Sequence, residues 1–253
     1  MPYIENPKTK GSGILCAIPQ MGKCPNKCSH CFFQSGRSYL EPLDENLPNL
    51  PEHDIAKNYI VRMNDGNDSN VQRELVVELS KRYPNVFFNT AIPKDLDKFP
   101  GPVVLTVNPG ARTDGLPTII KEVPKNLMFV RVRTNTWNLD LVDSVVMSYT
   151  LPIADPVPVV LTFMAYYSEG EDVPKDIPTE HVCNYEFRKR TLNNYWAIRR
   201  SAWKAVMDRY RDNRFVYSCG NESVSGGTAC KVCGNCIREY YATRERMGGF
   251  VKI

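Results

Sequence analysis

"GILCAIPQMGKCPNKCSHCFF", residues 13–33, joins a short apolar run to a loop that carries three cysteines, Cys24, Cys28 and Cys31, within eight residues and no fourth nearby. In "GILCAI" (13–18) apolar residues follow one another without alternation, the pattern of a β-strand buried on both faces. The Cys loop leaves the C-terminal end of that strand, which is where chemistry sits when strands and helices alternate into a barrel. Three thiolates leave a tetrahedral structural zinc site one ligand short. They suit a cubane [4Fe–4S] cluster, each Cys holding one iron and the fourth iron open to a substrate or cofactor.

Comparable runs recur at "YIVRM" (59–63), "VFFNT" (86–90), "VVLTV" (103–107), "MFVRVRT" (128–134), "SVVMSYT" (144–150), "VVLTFMAYY" (159–167) and "RFVYSCG" (214–220), all read as strands. Between them lie helical patterns and Pro/Gly-containing loops. In "SNVQRELVVELSKRY" (69–83) Ser69 is a candidate N-cap, apolar residues stand at 71, 75, 76 and 79, and Pro84 is a stop. This alternation predicts an α/β fold of parallel βα units whose right-handed crossovers wind into a barrel or an incomplete one. The polar "SEGEDVPKDIPTEHVCN" (168–184) reads as an insertion or lid. A long helix over roughly 187–212 then sets Leu192, Tyr195, Trp196, Trp203, Val206, Met207 and Tyr210 on one core-facing side. The expected division is a barrel core over 1–167, a lid and basic helix over 168–213 and a Cys-rich extension over 214–253, in one compact unit.

A chain of 253 residues buries roughly 70–75% of its unfolded surface, enough for one large core. The apolar run 157–167 is too short to cross a bilayer, so no membrane partner is expected. The N-terminus "MPYIENPKTK" lacks the apolar stretch of a secretory signal, which predicts a cytoplasmic protein with reduced thiols. Nine cysteines in that setting, seven of them in two clusters, argue for metal or catalysis over disulfides. Cys16 and Cys183 stand apart and read as small buried apolar side chains. The net charge of +4 is uneven, because residues 185–214 hold nine Lys or Arg against three acids.

The triplet Cys24-x3-Cys28-x2-Cys31 after a first strand, with the ring of His30 just before the last Cys, resembles the signature of the radical S-adenosylmethionine (radical SAM) superfamily. The resemblance implies a partial (β/α)6-type barrel in which SAM chelates the open iron, is cleaved reductively, and yields a 5′-deoxyadenosyl radical that abstracts a substrate hydrogen. It also implies an electron donor such as flavodoxin or ferredoxin. The family's Gly-Gly-Glu-like turn after strand 2 corresponds to "RMNDGNDSN" (62–70), where Asp65 or Asp68 is the candidate acceptor of the SAM amino group and Gly66 allows close backbone approach. "VRVRTNTWN" (130–138) resembles the family's strand ending in Thr-Asn-Gly, and "VDSVVMSYT" (142–150) its Ser-bearing strand. These make Arg133, Asn135 and Ser148 candidates for the SAM shell. The resemblance spans about residues 13–165, and the Cys triplet is its specific part.

"SCGNESVSGGTACKVCGNCIREYY" sets Cys219, Cys230, Cys233 and Cys236 in a second metal-binding pattern. Zinc would close such a site structurally, whereas the Cys-x2-Cys-x2-Cys run is spaced as in ferredoxin-like loops, and an auxiliary [4Fe–4S] cluster is the favoured reading. Small phage and bacterial radical SAM proteins end in a similar tail. The expected function is therefore a radical SAM enzyme with two clusters, acting on an anionic substrate such as nucleic acid, nucleotide or peptide. The alternative is a non-catalytic module in which both Cys sets hold zinc and the basic stretch tracks nucleic-acid phosphates.

Overall fold

The computed structural model describes residues 2–26, 28, 31, 33, 38–108, 119–151, 155–189, 194–219 and 230–249. Strands form at β1 (Ile14–Ala17), β2 (Ile60–Met63), β3 (Val86–Thr90), β4 (Val103–Val107), β5 (Leu127–Thr134), β6 (Val159–Phe163), β7 (Ala165–Tyr167), β8 (Tyr185–Arg188), β9 (Tyr195–Ile198) and β10 (Val216–Ser218). Seven make one sheet in the order β1-β2-β3-β4-β5-β6-β10, and three make a second in the order β7-β9-β8. The pairs β1–β2, β2–β3, β3–β4 and β6–β10 are parallel. The fold is thus α/β, as the alternating pattern predicts, and the large sheet follows chain order with no reversal. Among the described residues no helix is long and apolar enough to cross a membrane.

The chain divides into two units, Met1–Val130 with Ala229–Ile253, and Arg131–Thr228, so the border falls inside β5. In the first unit every residue of β1 and β2 is buried, as is most of β3 and β4, which is what uninterrupted apolar runs require. Three helices fill the connections: α1 (Leu43–Asn46), α2 (His53–Ala56) and α3 (Arg73–Ser80). The helix read over 69–83 is shorter at both ends. Gln72 takes a left-handed conformation ahead of Arg73 and supplies no side-chain cap. Ser69 is no cap either, because the helix begins only at Arg73, and its hydroxyl accepts instead from Asn64 Nδ2 at 3.1 Å.

Register puts Cys16, Arg62 and Phe87 side by side, hence on one face of the sheet. The C-terminal segment covers that face with α6 (Cys230–Cys233) and α7 (Asn235–Arg246). Tyr240 of α7 meets Phe87 with ring centroids 6.5 Å apart, and the Cys230 N–H donates to Lys8 O at 3.1 Å. Arg246, in the last turn where a cation suits the helix dipole, donates to Lys125 O at 3.0 Å. The opposite face packs Phe88 on Phe99 at 4.8 Å.

In the second unit three sequence readings are corrected. The run 144–150 is the end of a helix, α4 (Leu139–Thr150), because Val142, Val145, Val146 and Tyr149 repeat at helical spacing and are all buried; the β-branched content masks that period. The run 159–167 is two strands in two sheets, β6 and β7. The long helix over 187–212 is the pair β8–β9 followed by α5 (Arg200–Asp208). Cross-strand pairing of Tyr185 with Ile198 and Phe187 with Trp196 overrides the apparent helical face. Segment 168–184 is an excursion between β7 and β8 whose Ile177 buries with Met164, Tyr166, Tyr185 and Ile198.

Tyr240 is 1% exposed. Tyr240→Ala is expected to cost the first unit about 3–5 kcal/mol through the lost ring and the cavity it leaves, read as a lower urea midpoint. A change below about 0.5 kcal/mol would show instead that α7 is not part of that core.

Candidate functional site

Parallel strands bring the loops after β1, β2, β3 and β4 to one edge of the first unit. The β1 loop begins with a bridge in which Ile18 and Asn49 exchange backbone hydrogen bonds at 2.8 and 2.9 Å. Gln20 then donates through Nε2 to Asp68 O and Val71 O at 2.9 and 2.8 Å. Beyond it come Cys24, buried, and Cys28 and Cys31, half-buried. His30 lies outside the described residues.

The Cys24 thiol is pushed up to about 12, first by burial and then by the charges of Asp68, Cys28 and Cys31, while the Asn26 N–H works the other way. Burial also raises the Cys28 thiol, with Cys31 and Asp68 adding to it and the Asn108 side chain opposing. Asp68 thus adds to the proton affinity of the Cys24 and Cys28 thiols, a condition that a positively charged group would relieve. Among the described residues no three His, Cys, Asp or Glu side chains gather as around a single ion.

The β2–α3 turn supplies the carboxylates. Asn64 takes a left-handed φ of 62° directly after β2. Asp65 pairs with Arg62 through one oxygen and accepts from Asn6 Nδ2 with the other. Gly66 has no room for a Cβ, because the ring of Phe33 lies against its backbone. Asp68 is buried and accepts four hydrogen bonds: from the Asn70 N–H at 2.8 Å and Thr90 Oγ1 at 2.7 Å on one oxygen, and from the Ala91 N–H at 2.6 Å and Asn26 Nδ2 at 3.0 Å on the other. Burial raises its carboxyl, and those donors counter the rise. The two aspartates read together in the sequence therefore differ: Asp68 is saturated, whereas Asp65, among the described residues, takes one partner on each oxygen.

Cys230, Cys233 and Cys236 stand on α6 and α7 of the first unit, all half-buried. Arg62, buried in β2, donates to Cys16 Sγ at 3.2 Å. Burial opposes its charge, but Asp65 above all, then Cys16, Cys236 and Cys230, hold its guanidinium protonated. Sequence reading missed Arg62, although a lone cation inside the apolar run "YIVRM" was its signal. Cys16 is buried as expected; Cys183 is exposed, contrary to its reading as a buried apolar side chain, because the 3₁₀ turn Thr179–Asn184 buries none of its residues.

Arg133, Asn135, Ser148 and Cys219 belong to the second unit. Asn135 follows β5, donates to the Tyr166 hydroxyl at 3.3 Å and accepts from the Trp137 N–H at 3.0 Å. Arg133 O accepts from Asn138 Nδ2 at 2.8 Å. Ser148 lies on α4 rather than a strand, and its hydroxyl donates one turn back to Ser144 O at 2.7 Å. Cys219, exposed, follows β10, where its N–H donates to Leu161 O at 2.8 Å. Several cations of the basic stretch are engaged: Arg188 with Glu186 at 2.7 Å, Lys204 with Asp208 at 2.8 Å and Arg209 with Asp143 at 2.5 Å.

Arg62→Met leaves the nearly buried Asp65 without its cation, and is expected to cost about 3–5 kcal/mol of stability; a melt within error of wild type would show that the pair is dispensable. Ser148→Ala, which removes only a helix-surface hydroxyl, is expected to leave the same melt unchanged. Comparison with protein-family models, curated proteins and solved structures finds no match to this chain.

Proposed function

We propose that the chain is a radical SAM enzyme whose Cys24, Cys28 and Cys31 hold a [4Fe–4S] cluster at the C-terminal edge of a partial barrel. The observation that carries this reading is the Cys loop itself: Cys24, Cys28 and Cys31 on the loop that leaves β1, beside the β2–α3 turn whose Asp68 accepts a hydrogen bond from Asn26 of that loop. A sheet that keeps chain order without reversal supports the barrel part, since doubly wound sheets reverse at a switch point. When bound, the cluster and SAM supply a 5′-deoxyadenosyl radical to abstract a substrate hydrogen.

The chain's own residues have separable tasks. Asp65, with a single partner on each oxygen among the described residues, is the better of the two aspartates to receive an amino group. Gly66 lets the Phe33 ring close on the turn. Cys230, Cys233 and Cys236 hold an auxiliary cluster, with the Arg62 cation nearby to offset thiolate charge. An external reductant such as flavodoxin or ferredoxin is the electron donor. The substrate is anionic, drawn by the surplus cations of residues 185–214, of which Lys189 and Arg200 are exposed.

Anaerobic reconstitution is expected to give about eight iron and eight sulfide per chain, and about four of each once Cys24, Cys28 and Cys31 are changed to Ala. Dithionite-reduced wild type should convert SAM to 5′-deoxyadenosine, and the triple variant should not. Zinc without sulfide in the reconstituted protein would sink the reading in favour of a zinc module.

A charge test is independent of iron. Short RNA should be retarded at low salt and released as salt rises, and Lys189→Glu with Arg200→Glu should weaken retention without altering iron content. Equal retention by the double variant would remove these cations from the substrate's path.

A further inference from the structure

We propose that the β2–α3 turn is a two-point clamp that shapes the Cys24–Cys31 loop before any metal loads, with Asn26 held by Asp68 at one end and Phe33 held on Gly66 at the other. Its use rests on reading that loop as the cluster-binding loop; the contacts themselves do not. Asp68 ties three segments to one carboxylate. Asn70 belongs to the turn, Thr90 ends β3 and Ala91 follows it, and of the four donors only Asn26, between Cys24 and Cys28, belongs to the Cys loop. A carboxylate offers about four acceptor sites, and all four are filled. Releasing Asn26 therefore strips one bond from a carboxylate buried at 4% exposure, with no solvent to replace it.

The second point is apolar. Phe33 is 1% exposed and packs with Ile18, Leu40, Leu43 and Leu47, a cluster against which Cys31 also rests. The ring occupies the space a Cβ would need at residue 66, so its seat exists only because that residue is glycine. The loop is thus gripped two residues after Cys24 by a charged hydrogen bond and two residues after Cys31 by a packed ring. Asp68 and Gly66 are positioning residues: they act on the thiols through Asn26 and Phe33.

The test uses the metal-free full-length protein and iodoacetamide, with the alkylation rate of each cysteine read by mass spectrometry. Cys24 is buried, so it reacts only when the loop opens. Asn26→Ala should raise its rate by about tenfold or more, the value of one charge-assisted hydrogen bond, while exposed Cys183 serves as the unchanged control. Asn26→Asp should raise it further by facing two carboxylates across the gap. The conservative Asn26→Gln keeps an amide donor for the Asp68 carboxylate and should hold the rate nearer wild type than Asn26→Ala does. A merely local role for Asp68 predicts no such difference. Gly66→Ala should unseat Phe33 and speed alkylation of Cys31.

Unchanged Cys24 rates in Asn26→Ala and Asn26→Asp would overturn the clamp, even if the wild type loads iron. If instead the alkylation order holds while the wild type takes up no iron, the clamp stands and the radical SAM reading falls.

Discussion

A carboxylate taken out of water is tolerated only if its lone pairs are met, since the penalty for leaving them bare runs to several kcal/mol. Asp68 meets that condition with donors from three places in the sequence, and it cannot do so unless β3, the β2–α3 turn and the Cys loop converge. The constraint runs both ways. Parallel pairing of β2 with β3 brings Thr90 and Ala91 level with the turn, and Asp68 then fixes where the Cys loop crosses. Gln20 reinforces the crossing from the other side by donating to Asp68 O and Val71 O.

A second buried charge organises the face under α7. Arg62 is the sole charged residue of β2, and it is held there by Asp65 and Cys16. Such a pair adds little net stability against an apolar substitute, yet removing one member is costly, so it acts as a lock on register more than as a source of stability. A shift of β2 by one residue would carry Arg62 to the opposite face and leave Asp65 uncompensated. The field of the guanidinium also reaches Cys230 and Cys236. Thiols at the C-terminal end of the chain therefore share a cation with the second strand.

Legibility followed the physics of each element. Strands β1 to β4 were readable because burial on both faces leaves an uninterrupted apolar run, a local signal. The helix α4 was not, since Val145 and Val146 carry strand-forming side chains and only the wider spacing from Leu139 to Tyr149 shows the helical period. Nor were β8 and β9 readable: aromatics such as Tyr195 and Trp196 fit a helical face in sequence, and only their partners Arg188 and Phe187 make them a strand. At the site, the cysteine spacing was legible, but the division of labour between Asp65 and Asp68 was not. Both are aspartates in one polar turn, and what separates them is supplied by Asn6 and Arg62 for one and by Asn26, Thr90 and Ala91 for the other.

The same logic explains why the Cys loop needs anchors at all. Asp68 opposes ionisation of the Cys24 and Cys28 thiols beside it, and ordering a loop costs about 1–2 kcal/mol per residue. Regularly placed tethers limit the second cost. Ile18 is fixed by Asn49, Gln20 by the turn, Asn26 by Asp68, Phe33 by Gly66, and Leu40 by the apolar cluster around Phe33. No stretch between tethers exceeds seven residues, and short closed spans retain little freedom to lose. The spacing of Cys24, Cys28 and Cys31 is local and visible in the sequence; what holds their loop in place comes from distant residues, Asn49, Gly66 and Asp68, which only the fold brings to it.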